Sequence, residues 1–265
     1  MPELPDVEIR RRYLDATSLH DRIRGVDLRS PRLLRDSAMD GRSLTRALQG
    51  HALVETRRHG KYLFARLDAH GWLVLHLGMT GDLRSFEHPA AEPTHTRMLL
   101  TFESGSHLAF QDQRTLGRID LAEDIAWFVG RRGLGPDALD IERSTFDEAT
   151  RGRRAAVKPL LLNQSVIAGI GNLYADEVCF QAELWPETPF DRLDAHGRSR
   201  LLRAIRHVLR TAVDRHADPD RFPRTWLLPH RREGAACPRG DGEVERIEVA
   251  GRGTYGCRSC QRGHR

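Results

Sequence analysis

Residues 51–79 read HALVETRRHGKYLFARLDAHGWLVLHLGM. In HALVETRR, KYLFARL and WLVLHLGM apolar and polar residues alternate, and AHG breaks the run. A period of two is that of a strand with one face buried, and the break carries turn residues. The pattern resumes in RMLLTF, turns at ESGS and continues through HLAF. Residues 51–121 therefore read as antiparallel strands and hairpins, which makes a β-sandwich or a barrel.

On either side the period changes. Upstream, the spacing of Val7, Tyr13 and Leu14 predicts a helix that Pro5 can open, with Asp6 and Glu8 in its positive first turn. Downstream, RRGLGPDALD (131–140) places two glycines and a proline between periodic segments, as a linker does. Helical spacing follows around 144–150, 155–162, 172–184 and 197–213, clearest in RLLRAIRHVLRTAV. From His230 onward the chain is rich in Gly, Arg and Cys and poor in apolar residues, so this tail needs a staple. The expected organisation is α+β. A sheet domain with flanking helices spans 2–130, a linker 131–143, a helical domain 144–229 and a stapled tail 230–265.

Composition sets the context. The 265 residues are 39% hydrophobic and 30% charged, and no apolar run approaches the roughly 18 residues of a membrane helix. The start has no basic segment followed by an apolar one, and four cysteines in this length do not make a disulfide framework. The expectation is a soluble, cytoplasmic protein in a reducing compartment, away from any membrane. Its net charge of +5 admits a polyanionic partner without establishing one.

Of 42 basic residues only Lys61 and Lys158 are lysine. Arginine is a planar fork and lysine a compact point charge, so a site built for one rejects the other. The two lysines that remain mark positions where arginine does not serve, or remain by chance.

The staple candidate is CPRG followed by CRSC. Cys237, Cys257 and Cys260 stand where a two-knuckle zinc ribbon has ligands, but Gly240 fills the fourth position. A Zn²⁺ site here needs a replacement such as His230, Asp241 or His264; otherwise it is empty. Cys179, inside DEVCFQAEL, reads as a buried structural thiol.

Two further stretches carry chemistry. In GIGNLYADE (169–177) two glycines allow close backbone approach, and Asn172 stands where an N-cap would open a helix whose free N–H groups suit a phosphate. At the start, MPELPDVE, Pro2 lies too far upstream to begin the first helix. Removal of Met1 leaves a proline secondary amine as the terminus, and a secondary amine is a nucleophile.

Taken in order, PELPDVE, HGKYL, HLGMTG, DQRTLG, KPLLLNQSVIAGIGNLYADE and the C-terminal C-x-x-C hairpin resemble the formamidopyrimidine-DNA glycosylase and endonuclease VIII family. The resemblance runs the length of the chain. It implies an N-terminal β-sandwich, then a helix-two-turn-helix domain ending in a zinc-finger-like β-hairpin. The partner it implies is double-stranded DNA with damaged bases or abasic sites, bound across a cleft by a monomer.

The resemblance also implies roles. The flipped nucleotide exposes its sugar carbon to Pro2, the Schiff base drives β- and δ-elimination, and Glu3 hands a proton to the opening sugar. Glu8 would support it, or is a solvated helix residue. Lys61, Lys158, Asn172 and Arg252 match phosphate contacts or neighbours of the site. Met79, Arg114 and Leu116 match side chains that fill the gap left by the base, with Leu116 departing from the usual aromatic.

Two departures bear on substrate. HADPDRFPRTWLLPHRREG (216–234) lacks the Gly- and Thr-rich loop that caps 8-oxoguanine in well-known members, and Asn163 stands where aspartate is common. They favour oxidised pyrimidines or ring-opened purines over 8-oxoguanine. Two rival readings are a non-catalytic lesion-binding member of the same fold and an RNA-binding zinc-ribbon protein. The first has to ignore an intact Pro2, Glu3 and Lys61, and the second leaves the N-terminus unexplained.

Overall fold

The computed structural model describes residues 1–240 and 242–262. The chain forms two compact units: Met1–Pro2 with Asp6–Arg132, and Glu3–Pro5 with Gly133–Arg265.

In the first unit, helix α1 (Leu4–Ser18) leads into β1 (Ile23–Leu28), and α2 (Gly41–Leu48) precedes β2 (Leu53–His59), β3 (Tyr62–Leu67), β4 (Trp72–His76) and β5 (Gly81–Phe86). Strands β6 (Thr96–Phe102), β7 (His107–Asp112) and β8 (Arg118–Ala122) follow, then α3 (Ile125–Arg131). The strands form two antiparallel sheets of four, in the orders β1-β6-β7-β5 and β2-β3-β4-β8. Both sheets feed one core: Leu63, Ala65, Leu73 and Leu75 from one, Ile23, Met98, Leu100, Phe102 and Phe110 from the other. Of the two sheet architectures the sequence allows, this is the sandwich. Strict alternation along β6 buries every second residue. The YLFARL strand reads almost continuously apolar because its other face is covered as well, with Phe64 and Val74 packed against Phe128 of α3.

The second unit is helical. It contains α4 (Arg143–Ala149), α5 (Val157–Leu162), α6 (Asn172–Gln181) and α7 (Ala195–Asp214), followed by the hairpin β9 (Glu245–Val249) and β10 (Arg252–Gly256). Leu201, Ile205, Val208 and Leu209 form the apolar stripe of α7 and meet Phe146, Leu160, Leu161, Val178 and Trp226 in the core. Asp194 starts α7 by accepting the Gly197 N–H at 2.7 Å. Helix α6 stops at Gln181, short of the expected 184, and Glu183 takes a left-handed φ of 55° beyond it. Residues 133–142 have no helix or strand, yet they dock: Ala138 and Ile141 are buried in the core and the Ala138 N–H reaches the Ala168 carbonyl.

The hairpin turns at Ala250 and Gly251, both at positive φ (50° and 72°), as a two-residue turn between twisted strands requires. Its base packs on a small separate cluster of Phe180, Leu227, Cys237, Val244 and Cys257. Among the described residues, no helix is long and apolar enough to cross a membrane.

Candidate active site

Pro2 is half-buried behind an exposed Met1, and the next residue, Glu3, is 1% exposed. Its carboxylate accepts from the backbone N–H groups of Gly171 (2.7 Å), Leu173 (2.9 Å) and Tyr174 (3.3 Å). Glu3 is thus the cap of α6, and the residue expected there, Asn172, is instead the first helical residue. The N–H groups that looked available to a phosphate hold a carboxylate. Approach this close requires glycine at 171, because an added Cβ would overlap the Glu3 carboxyl. The three donors fix both its oxygens.

In the first unit, Lys61 and Gly60 form the turn between β2 and β3. Glu8 is not a solvated helix residue. It is 7% exposed and binds Arg11 (2.8 Å), Arg12 (3.1 Å) and Arg58 (3.3 Å), whose own Nη1 reaches the Gly60 carbonyl. Burial pushes its carboxyl up, but Arg11, Arg58 and Arg12 outweigh that and hold it below the usual range. Glu8 therefore ties α1 to the turn that carries Lys61.

Across the same sheet lies His76, which the sequence argument passed over. It pairs with Tyr62 in register, and its Nδ1 accepts the Gly78 N–H at 3.1 Å. Burial, then the charges of Arg118 and Lys61, lower its pKa to about 4. It is a neutral imidazole whose remaining proton sits on Nε2, a fixed donor in a cationic setting. No motif residue announces it beyond its place three before Met79.

Met79 and Leu116 are two of the five exposed large hydrophobic residues among those described, at 40% and 36%. Their turns are joined. Asp112, fully buried, accepts from Thr80 Oγ1 with one oxygen and from the Gly117 N–H (2.6 Å) with the other. The Arg114 N–H bonds both Thr80 Oγ1 (3.0 Å) and Asp112 (3.2 Å). Gly78, at φ 64°, touches the Leu116 backbone so closely that a Cβ would lie 2.5 Å from its carbonyl carbon. Met79, Arg114 and Leu116 are consequently presented as one rigid edge, with Asp112 in DQRTLG as the support that sequence reading does not single out.

In the second unit lies Lys158, expected among the residues near the DNA site. It is fully buried, its ammonium 2.7 Å from Asp176 and 2.6 Å from Thr254 Oγ1. Burial pushes the ammonium down while Asp176 opposes that. Arg231 holds the other Asp176 oxygen at 2.9 Å. The Gly253 carbonyl collects Asn172 Nδ2 (3.1 Å), Arg231 (3.4 Å) and Lys158 (3.5 Å). These contacts fasten the hairpin beside the start of α6 and leave Arg252, next in the chain, exposed.

Three sulfurs, Cys237, Cys257 and Cys260, lie within 4.8 Å of one another, with Cys237 and Cys260 3.3 Å apart. Cys260 is pushed up to about 12 by burial and by the Cys237 thiol beside it. A tetrahedral zinc with thiolate bonds of about 2.3 Å fits such a triangle. Gly240 stands beside the triangle, where a Cβ would sit 3.9 Å from the Cys260 sulfur. His230 does not join the three sulfurs, and its Nε2 is bonded to the Arg224 carbonyl at 3.0 Å. Asp241 and His264 lie outside the described residues.

Residues 1–119 match the family model of the formamidopyrimidine-DNA glycosylase N-terminal domain, and residues 133–222 that of the formamidopyrimidine-DNA glycosylase H2TH domain. The chain is 37% identical to the formamidopyrimidine-DNA glycosylase of Heliobacterium modesticaldum over 99% of its own length and 100% of the relative. To that of Thermus thermophilus it is 38% identical, with 98% of each covered. Among solved structures, Lactococcus lactis formamidopyrimidine-DNA glycosylase bound non-covalently to DNA containing an abasic site superposes with a TM-score of 0.87 at 28% identity, covering 98% of this chain and 99% of the other. A MutM complex with DNA containing carbocyclic 8-oxo-G gives 0.88 at 28% identity, covering 98% and 100%.

Proposed function

Since the chain belongs to the formamidopyrimidine-DNA glycosylase family, DNA glycosylase/AP lyases of base excision repair, we propose that it cuts damaged bases from double-stranded DNA through a Schiff base on Pro2. The observation that carries this reading is the placement of Glu3, the neighbour of Pro2, under three N–H donors of α6.

The damaged nucleotide leaves the stack so that its C1′ can be reached. With Met1 removed, the Pro2 nitrogen is a secondary α-amino group, the kind of amine that is far less basic than a lysine side chain. It attacks C1′ and the base departs with the glycosidic electron pair. The new N–C bond leaves a proton on nitrogen, and Glu3, poised as a carboxylate, takes it and passes it to the ring oxygen as the sugar opens. The product is an iminium without an N–H, permanently cationic. That cation is the electron sink for eliminating the 3′ phosphate and then the 5′ phosphate, a β,δ sequence that leaves a one-nucleotide gap.

Around this chemistry, Lys61, neutral His76, Asn172 and Arg252 contact phosphates and set register without reading sequence. Met79, Arg114 and Leu116 fill the vacated stack. Cys237, Cys257 and Cys260 would hold a zinc ion, which would fix the loop below the hairpin. It has no part in the bond changes.

Substrate preference follows the departures noted in the sequence. Without the Gly- and Thr-rich loop, and with Asn163 exposed and folded back on Ser165 (2.7 Å), we propose that ring-opened purines and oxidised pyrimidines are favoured over 8-oxoguanine. Single-turnover excision on duplexes carrying each lesion tests this. Faster removal of 8-oxoguanine than of ring-opened guanine would refute the preference.

A further inference from the structure

We propose that Arg35 is a positioning residue for base extrusion. Its guanidinium fork holds the main chain of Thr115 and Leu116 so that the Leu116 side chain meets the duplex at a fixed depth. The proposal rests on the reading of Leu116 as a wedge.

The loop needs an outside restraint. Thr115 sits at φ 53°, in the left-handed region that a β-branched residue keeps only when its surroundings impose it. Asp112 grips the loop from within through the N–H groups of Arg114 and Gly117, which leaves the Thr115 and Leu116 carbonyls to be met from the other side. Arg35 meets both: Nη1 donates to the Thr115 carbonyl at 3.1 Å and Nη2 to the Leu116 carbonyl at 2.6 Å. Leu116 is thereby fixed between the Arg35 fork and the bare backbone of Gly78.

The fork itself stands on a rigid mount. Arg35 follows the 3₁₀ turn Pro31–Leu34, whose Leu33 and Leu34 are buried in the sandwich core. Its own N–H closes on the Arg32 carbonyl at 3.3 Å, and its Nη1 also donates there at 3.1 Å. The next residue, Asp36, pairs with Arg118 at 2.6 Å, just past the loop. Two carbonyls on successive residues suit the planar guanidinium, whereas a lysine ammonium is a single point that serves one of them.

The test uses the full-length protein and one lesion in two settings: fully paired in a duplex, and unpaired within a bubble of the same sequence. Extrusion from the stack is demanding only in the first. Arg35→Ala should lower kcat/KM on the paired lesion roughly tenfold, the order expected for losing a charged donor pair, and change the bubble substrate little. Arg35→Lys should fall between. The fluorescence rise of a 2-aminopurine beside the lesion should shrink in step, with thermal unfolding unchanged. Equal losses on both substrates, or no loss on either, would overturn the proposal. So would full rescue by Arg35→Lys together with a flatter salt dependence in Arg35→Ala, which is the behaviour of a phosphate contact. Wild-type protein that excises no oxidised base would overturn the enzymatic reading and this inference with it. Wild-type excision with equal Arg35→Ala losses overturns the inference alone.

Discussion

The Glu3 carboxylate and the Gly171 N–H, 168 residues apart in the chain, meet at 2.7 Å. That bond, with those from Leu173 and Tyr174, makes the start of α6 the holder of the carboxyl proposed to move the proton. Gly171→Ala should therefore move Glu3 without removing it, because the new methyl overlaps the carboxyl. Misplacement of this kind costs about 10²-fold in rate. Single-turnover excision should fall accordingly while the circular dichroism spectrum stays native. A wild-type rate in Gly171→Ala would mean that the position of Glu3 does not matter to the chemistry.

Lys61 is one of two lysines in a chain that otherwise uses arginine. If its point charge in the β2–β3 turn is what the phosphate beside the lesion needs, Lys61→Arg should lower kcat/KM by about tenfold or more despite the retained charge. The control, Arg57→Lys on a side chain 67% exposed, should leave kinetics unchanged. Equal behaviour of the two variants would return Lys61 to an ordinary surface cation.

Glu177 on α6 is buried and accepts from Gln181 (2.6 Å) and from the Leu228 N–H (2.8 Å). Burial raises its pKa to about 7 from the usual 4.5. The folded state thus binds a proton more readily than the unfolded chain. The stability this contributes is full below pH 4.5 and is lost as pH rises through 7. Glu177→Gln, which keeps one of the two acceptor oxygens and cannot ionise, should remove that slope. Its stability relative to wild type in urea should grow by about 2 kcal/mol between about pH 5.5 and 8.5. A pH-independent difference would show that Glu177 does not titrate in this range.

The sulfur triangle makes a separate prediction. Elemental analysis of protein purified under reducing conditions should find about one zinc per chain, and Cys257→Ser should release it and weaken DNA binding together. Gly240→Cys should slow metal loss to a chelator by completing the tetrahedron. Protein that binds DNA normally without metal, and ignores chelators, would assign the hairpin's order to its other ties. Those are Lys158 to Thr254, and Gln261, which accepts the Cys257 N–H at 2.7 Å and donates to the Leu184 carbonyl at 2.8 Å.

Most of the strands and helices are legible in the chain because their signals are local. Period two in 51–121 and the stripe of α7 report one buried face each, and burial of a face is what those elements exist to achieve. A candidate site is legible where a proposed chemistry demands a residue type, as the Schiff-base proposal does at Pro2 and Glu3. It is illegible where a group is held by partners remote in sequence. Nothing near Asn172 announces that the cap of α6 comes from Glu3. The fully buried position of Lys158 depends on Asp176, 18 places on, and Thr254, 96 places on. His230 is a reasonable zinc ligand by spacing alone, and only the fold turns its ring toward Arg224.

The central claim is that the Pro2 nitrogen forms the covalent link to the sugar. Borohydride reduction in the presence of duplex DNA holding an abasic site tests it most directly, with intact mass establishing whether Met1 is gone. The account predicts a trapped protein–DNA adduct for the form beginning at Pro2, mapping to Pro2 by peptide mass. It predicts little or none for Pro2→Gly or for a form that retains Met1. Equal trapping by the Met1-retaining form, or an adduct mapping to Lys61, would contradict it.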